Sequence, residues 1–135
     1  MPAEPFIDTN VLLYAVGSGD ERVETAQAIV ARGGIMSVQV ANEFIDVSRR
    51  KLRWSWDQVA AALDALRAAL GTPVPLTDET HRLALDISRR YGLRIYDSLI
   101  LSAAKHAGCR LVYTEDLQDG QVIEGMLVRN PFASA

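Results

Sequence analysis

The sequence predicts an α/β fold of three layers, α/β/α, around a central, mainly parallel sheet of four to five strands. Short apolar runs such as Phe6-Ile7, Ile35-Met36 and Leu111-Val112-Tyr113 alternate with longer stretches of helical periodicity. Helical crossovers between strands join parallel neighbours with a right-handed sense and cover the sheet on both faces. At 135 residues the chain reads as a single domain over 1–135, long enough to bury a hydrophobic core.

Taken in order, Phe6 and Ile7 suit a buried strand that ends abruptly at Asp8-Thr9-Asn10. A short helix follows over 9–16, with Thr9 and Asn10 suited to its cap. Val23, Ala26, Ile29 and Val30 recur at helical spacing and predict a helix over 21–32, stopped by Gly33-Gly34. Ile35-Met36-Ser37 reads as a short strand. Ser37 can cap the next helix, whose apolar stripe is Val40, Phe44 and Val47 and which closes in the basic cluster Arg49-Arg50-Lys51 and Arg53. Ser55-Trp56-Asp57-Gln58 has capping-box spacing and opens an alanine-rich helix to about Leu70. After Gly71-Thr72-Pro73, the segment Val74-Pro75-Leu76 is extended and suits a short edge strand.

Thr77 caps a helix that turns Leu83, Ala84 and Ile87 inward and ends before Gly92. The run Ile95 to Ala104 is a nearly all-apolar helix with Asp97 at its amino end, terminated by Gly108. A strand at 111–113 leads into the acidic turn Thr114-Glu115-Asp116-Leu117-Gln118-Asp119-Gly120. Met126-Leu127-Val128 is the last expected strand, before Pro131 ends regular structure.

Composition narrows the function. Hydrophobic residues at 49% and charged residues at 23% exclude a disordered or low-complexity chain. Met1-Pro2-Ala3-Glu4 lacks the basic start of a secretory signal, and charges interrupt every apolar run, so no membrane association is expected. A lone cysteine, Cys109, rules out an intrachain disulfide and fits a reducing, cytoplasmic setting. The formal charge of -3 is not that of a module that grips nucleic acid by charge alone.

Four carboxylates carry the chemistry. Asp8 follows the first strand, Glu43 lies on the helix after the second, Asp97 starts the apolar helix, and Asp116 follows the strand at 111–113. In a parallel sheet these elements deliver all four to the carboxyl edge, where ligands bind. Each has a structural alternative: turn chemistry for Asp8 and Asp116, a solvated helix face for Glu43, a capping acid for Asp97. Together on one edge they repel one another and need a cation. Oxygen donors with no histidine or cysteine beside them favour Mg²⁺ or Mn²⁺ over zinc. His81 and His106 fall on other helices and read as surface residues. No serine–histidine or cysteine–histidine pair has a context for covalent catalysis.

Ile7-Asp8-Thr9-Asn10, Asn42-Glu43-Phe44, Tyr96-Asp97-Ser98-Leu99-Ile100 and Thr114-Glu115-Asp116, in that order, resemble the PIN domain, and within it the VapC-like toxin ribonucleases of bacterial toxin–antitoxin pairs. The resemblance covers essentially the whole chain. It implies a metal-dependent endoribonuclease with one or two Mg²⁺ or Mn²⁺ ions on Asp8, Glu43, Asp97 and Asp116. It also implies that Thr114 holds the first carboxylate by hydrogen bond and that Asn10 orients ligands or substrate. Glu115 and Asp119 flank Asp116, and members of the family differ in which acid here reaches the metal. The implied partners are an RNA substrate, a cognate antitoxin protein and a second copy of the chain in a homodimer.

The remaining features stay open at the level of sequence. Arg49-Arg50-Lys51-Arg53 and Arg89-Arg90 suit either an RNA backbone or solvated helix ends. Trp54 and Trp56 suit either the core or a partner-binding groove. The rival functions are a PIN-like module that binds RNA or protein without cutting, a housekeeping RNA-processing nuclease, and a phosphoryl-transfer domain using Asp8. The last is the weakest, because a haloacid-dehalogenase-type phosphatase wants a second aspartate where this chain has Asn10.

Overall fold

A computed structural model describes residues 3–133. Ten elements follow one another: β1 (Phe6–Ile7), α1 (Thr9–Ala15), α2 (Arg22–Arg32), α3 (Val38–Arg50), α4 (Trp56–Leu70), α5 (Asp78–Tyr91), α6 (Ile95–His106), β2 (Leu111–Tyr113), β3 (Val122–Ile123) and β4 (Met126–Arg129). The architecture is the expected three-layer α/β/α arrangement about a mostly parallel sheet, in strand order β1-β2-β4-β3. No helix among the described residues is long and apolar enough to cross a membrane.

β1 pairs β2 in parallel, Phe6 opposite Val112 and Ile7 opposite Tyr113, and β2 pairs β4 in the same sense. The strand expected at Ile35–Ser37 is reduced to two isolated parallel bridges, Phe6 to Ile35 and Ser37 to Val74. They extend the hydrogen-bonded array past β1: Ile7 N donates to Ile35 O at 2.9 Å, and Val74 N to Met36 O at 2.9 Å. Only three residues are available here, because Ser37 already caps α3 through its hydroxyl, which accepts from Val40 N at 3.2 Å. The Val74 segment likewise contributes one bridge rather than a strand.

One boundary differs from the sequence expectation. Asp8, not Thr9 or Asn10, is the cap of α1: its backbone is still extended and its Oδ1 accepts from Thr9 N at 2.7 Å. α6 starts at Ile95, as expected, and Asp97 sits inside its first turn, which sets aside the capping alternative. β3 was not expected. It returns antiparallel on β4 through Glu124-Gly125, both at positive φ (50° and 79°), as a two-residue hairpin loop requires. Glutamate is a poor choice for that conformation, so the turn carries no sequence signal. Its side chain is instead tied to the helices, accepting from Arg90 Nη1 at 2.7 Å, Tyr91 Oη at 3.0 Å and Lys105 Nζ at 3.3 Å.

The core joins both faces of the sheet. Phe6, Ile7, Leu12, Phe44, Leu101 and Val112 are fully buried within one cluster. Along α6 every residue from Ser98 to Ala104 is buried, which explains the absence of an amphipathic pattern there. Its two serines are satisfied by α5: Ser98 Oγ accepts from Ser88 Oγ at 2.7 Å, and Ser102 Oγ donates to Thr80 O at 2.6 Å.

One glycine is required by contact. A Cβ on Gly34 would fall 2.9 Å from Pro5 O and 2.6 Å from Ile7 Cδ1, where the chain crosses beside β1. We expect Gly34→Ala to cost about 1–3 kcal/mol, the range for overpacked sites. Denaturant titration would read this as a lower midpoint at unchanged slope. An unchanged midpoint would mean that β1 moves aside freely.

Candidate metal centre

Parallel pairing brings the carboxyl ends of β1 and β2 side by side, with Asp8 N donating to Tyr113 O at 3.0 Å. Asp8 thus emerges next to Thr114. A cleft of about 610 Å³ opens at this edge, and Glu43, Asp97 and Asp116 line it together with Asn10, Lys51 and Tyr96. Asp8 lies beneath, only 6% exposed. The four sequence-predicted acids therefore occupy one region, three on the wall and one under the floor. Among the described residues, no three acids, histidines or cysteines converge closely enough to form a ready-made cage.

Each carboxylate is oriented by neighbours. Asp8 Oδ2 accepts from Thr114 Oγ1 at 2.8 Å, while its Oδ1 caps α1. Thr114 Oγ1 accepts in turn from Asp116 N at 3.1 Å and from Asn10 Nδ2 at 3.4 Å. Asn10 Nδ2 also donates to Asp116 Oδ2 at 3.0 Å, and its Oδ1 accepts from Glu115 N at 3.3 Å. Glu43 Oε1 accepts from Gln39 Nε2 at 3.3 Å and Oε2 from Thr9 Oγ1 at 3.0 Å. Asp97 accepts from Arg94 Nε at 3.3 Å, but the arginine side chain is 82% exposed and that attraction is largely screened.

The other two acids of the turn point elsewhere. Glu115 accepts from Tyr14 Oη at 3.1 Å and lies 3.6 Å from Arg22 Nη1, on the far side of α1. Asp119 Oδ1 accepts from Asn130 N at 2.8 Å and braces the chain after β4. Of the three, Asp116 is the one that lines the cleft. His81 and His106 are exposed, as expected. Trp54 packs edge-on against Phe44, with centroids 6.1 Å apart, whereas Trp56 is exposed beneath the Arg49 guanidinium.

Sequence reasoning did not assign the orienting roles of Thr9 and Gln39. Gln39 stands four residues before Glu43 on one helix, a spacing that brings side chains together and could have identified it. Thr9 suits a cap in sequence, and nothing local signals the reach of its hydroxyl across to Glu43 on α3.

The electrostatics are unfavourable without a cation. Burial pushes the Asp8 carboxyl up to about 7; the bonds from Thr114 and Thr9 oppose this, and the charges of Glu43 and Asp116 add to it. Glu43 is also raised, first by burial, then against the bonds from Gln39 and Thr9, and further by Asp97 and Asp116. Folding therefore retains protons that the unfolded chain releases. Stability of the metal-free protein falls as pH rises from about 4 to 7, by up to about 4 kcal/mol from Asp8. We expect Asp8→Asn to flatten that slope in denaturation midpoints, and Mg²⁺ or Mn²⁺ to restore stability to the native sequence at neutral pH. Identical slopes for the two proteins would refute the assignment.

The fold has solved counterparts. A toxin–antitoxin complex chain from Klebsiella pneumoniae matches at a TM-score of 0.71 and 20% identity, over 95% of this chain and 98% of that one. DNA-bound VapBC from Salmonella typhimurium matches at 0.70 and 17%, over 96% and 98%. VapC20 of Mycobacterium tuberculosis, described as a sarcin-ricin loop cleaving toxin, matches at 0.67 and 19%, over 83% and 91%. No curated protein matches the chain by sequence. Residues 6–118 match the PIN domain family model, which takes in all four acids of the cleft region, and the chain belongs to the PIN domain family.

Proposed function

We propose that this protein is a metal-dependent endoribonuclease, the toxin of a toxin–antitoxin pair, which hydrolyses RNA phosphodiester bonds with water as nucleophile. One observation carries the reading. Four separate elements bring Asp8, Glu43, Asp97 and Asp116 to one edge, where burial and mutual repulsion make two of them, Asp8 and Glu43, harder to ionise. Membership of the PIN family supports it, and the toxin described as cleaving the sarcin-ricin loop is a precedent for RNA as substrate on this fold. The toxin–antitoxin chains of similar fold support an antitoxin protein as partner. A homodimer and a cytoplasmic location belong to the same reading.

The donor set fits the implied ion. All four side chains offer hard carboxylate oxygens, the preference of Mg²⁺ and Mn²⁺. Asp8, Glu43, Asp97 and Asp116 would hold one or two such ions. When bound, the ion supplies a hydroxide nucleophile at neutral pH and neutralises charge gathering on the phosphodiester. The chain's own part is orientation. Thr114 and the Thr9 amide fix Asp8, Gln39 and the Thr9 hydroxyl fix Glu43, and Asn10 fixes Asp116. An oriented carboxylate spared from ligation can take the proton that water loses. Attack by water leaves the 2′-hydroxyl unused, so no 2′,3′-cyclic phosphate forms; with the P–O3′ bond broken and the 3′-oxygen leaving, the products carry 5′-phosphate and 3′-hydroxyl ends.

A second reading, a PIN module that binds RNA without cutting, draws on the spacing of the acids, no three of which close on one point among the described residues. Cleavage of cellular RNA by purified protein in Mn²⁺ separates the two. Under the nuclease reading, wild type cuts, EDTA and Asp97→Asn abolish cutting, and the ends are 5′-phosphates. Equal cutting by wild type and Asp97→Asn, or 2′,3′-cyclic ends, would overturn it. Thr114→Val, which frees the Asp8 carboxylate, is expected to lower metal affinity or activity about 10–100-fold. Asp116→Ala should be severely impaired and Asp119→Ala nearly unaffected in rate, with a lower melting temperature for the latter.

A further inference from the structure

Burial along α6 changes abruptly at its amino end. Ser98 to Ala104 are buried, whereas Tyr96, next to Asp97, is 62% exposed on the lip of the acid-lined cleft. Among the described residues its hydroxyl has no hydrogen-bond partner, and its ring has no aromatic or cationic neighbour. Lys51, at the carboxyl end of α3, is exposed in the same cleft and enters no ion pair among the described residues. Arg94 is not equivalent, because its guanidinium is turned to Asp97.

Single exposed aromatics are ordinary on protein surfaces, but this one borders a site rich in negative charge. The tyrosine ring itself offers a phosphate no positive charge. The face of a nucleobase is uncharged and can lie beside carboxylates while stacking on a ring. Within a duplex both faces of each base are covered, so only an unpaired base can use such a surface.

We propose, resting on the nuclease reading above, that Tyr96 is a stacking platform for one unpaired base beside the scissile phosphate. Lys51 holds a neighbouring phosphate across the cleft. Tyr96 and Lys51 are thus positioning residues for one nucleotide of the substrate. The site takes a splayed nucleotide, not a paired one.

The test is binding of a short unstructured RNA carrying the fluorescent base 2-aminopurine, with Ca²⁺ in place of Mg²⁺, to the full-length protein. Stacking on a ring quenches the fluorophore. Wild type should quench it, Tyr96→Phe should keep the quench, and Tyr96→Ala should lose it and bind about fivefold or more weakly. Lys51→Ala should keep the quench but reduce the salt dependence of binding by about one phosphate contact. The same RNA annealed to its complement should compete poorly. Because Tyr96 and Lys51 are exposed, unchanged thermal melts will show that each variant folds. Unchanged quenching and affinity in Tyr96→Ala, no binding of the unstructured RNA by wild type, or equal competition by duplex would each overturn the proposal. The first of these would leave the ring to a protein partner. If wild type still cuts RNA in Mn²⁺ after such a result, the platform alone falls; if it neither binds nor cuts, the nuclease reading falls with it.

Discussion

The parallel pairing of β1 with β2 is the constraint on which the site depends. It sets Asp8 beside Thr114, and the Thr114 hydroxyl then bonds Asp8 while accepting from Asn10 and from the Asp116 amide. That hydroxyl has one donor and two acceptor positions, and all three are used. The residue that follows one strand, the first turn of a helix and the acidic turn after another strand are locked through a single oxygen. β1 itself spans two residues. Its position is held by neighbours on both sides, β2 on one and the Ile35 bridge on the other.

Stability and function pull apart at this edge. A core built for stability alone would not bury Asp8 or direct Glu43 and Asp116 toward it. The surrounding scaffold is correspondingly firm. α6 is embedded over seven consecutive residues and latched to α5 by two serine hydroxyls, so Asp97 rides on an element with little freedom to swing away from its neighbours' charge. Repulsion that could relax in a soft structure is kept in place here. That repulsion reaches Glu43, whose carboxyl is raised first by burial and further by Asp97 and Asp116.

Legibility in the sequence followed the range of the forces involved. Ser37, the Ser55 capping box and Thr77 act within one turn of helix, and their elements start as the sequence predicts. That Asp8, Glu43, Asp97 and Asp116 fall in one region was readable because alternating strands and helices fix which end of each element faces the carboxyl edge. Other features depend on partners distant in the chain. The segment Ile35–Ser37 forms only bridges, to Phe6 and to Val74, since Ser37 is already taken up as the cap of α3. Glu115 was drawn away by Tyr14 and Arg22, more than ninety residues earlier. β3 hid behind a Glu-Gly turn whose compensation comes from α5 and α6. For Glu115 and Glu124 the deciding contacts are tertiary.

That Glu124 turn also bears on how the sequence can change over time. A glycine at 124 would relieve the backbone but abandon Arg90, Tyr91 and Lys105, which gather around this one carboxylate from two helices. An uncharged replacement would leave two cations clustered with no counter-charge, and loss of either cation would expose a glutamate in a conformation it tolerates poorly. Drift at any one of these positions is therefore conditional on the others. The four are expected to substitute as a set, so that divergent relatives carry either the whole arrangement or an Asn-Gly or Gly-Gly turn with unrelated residues on the facing helices.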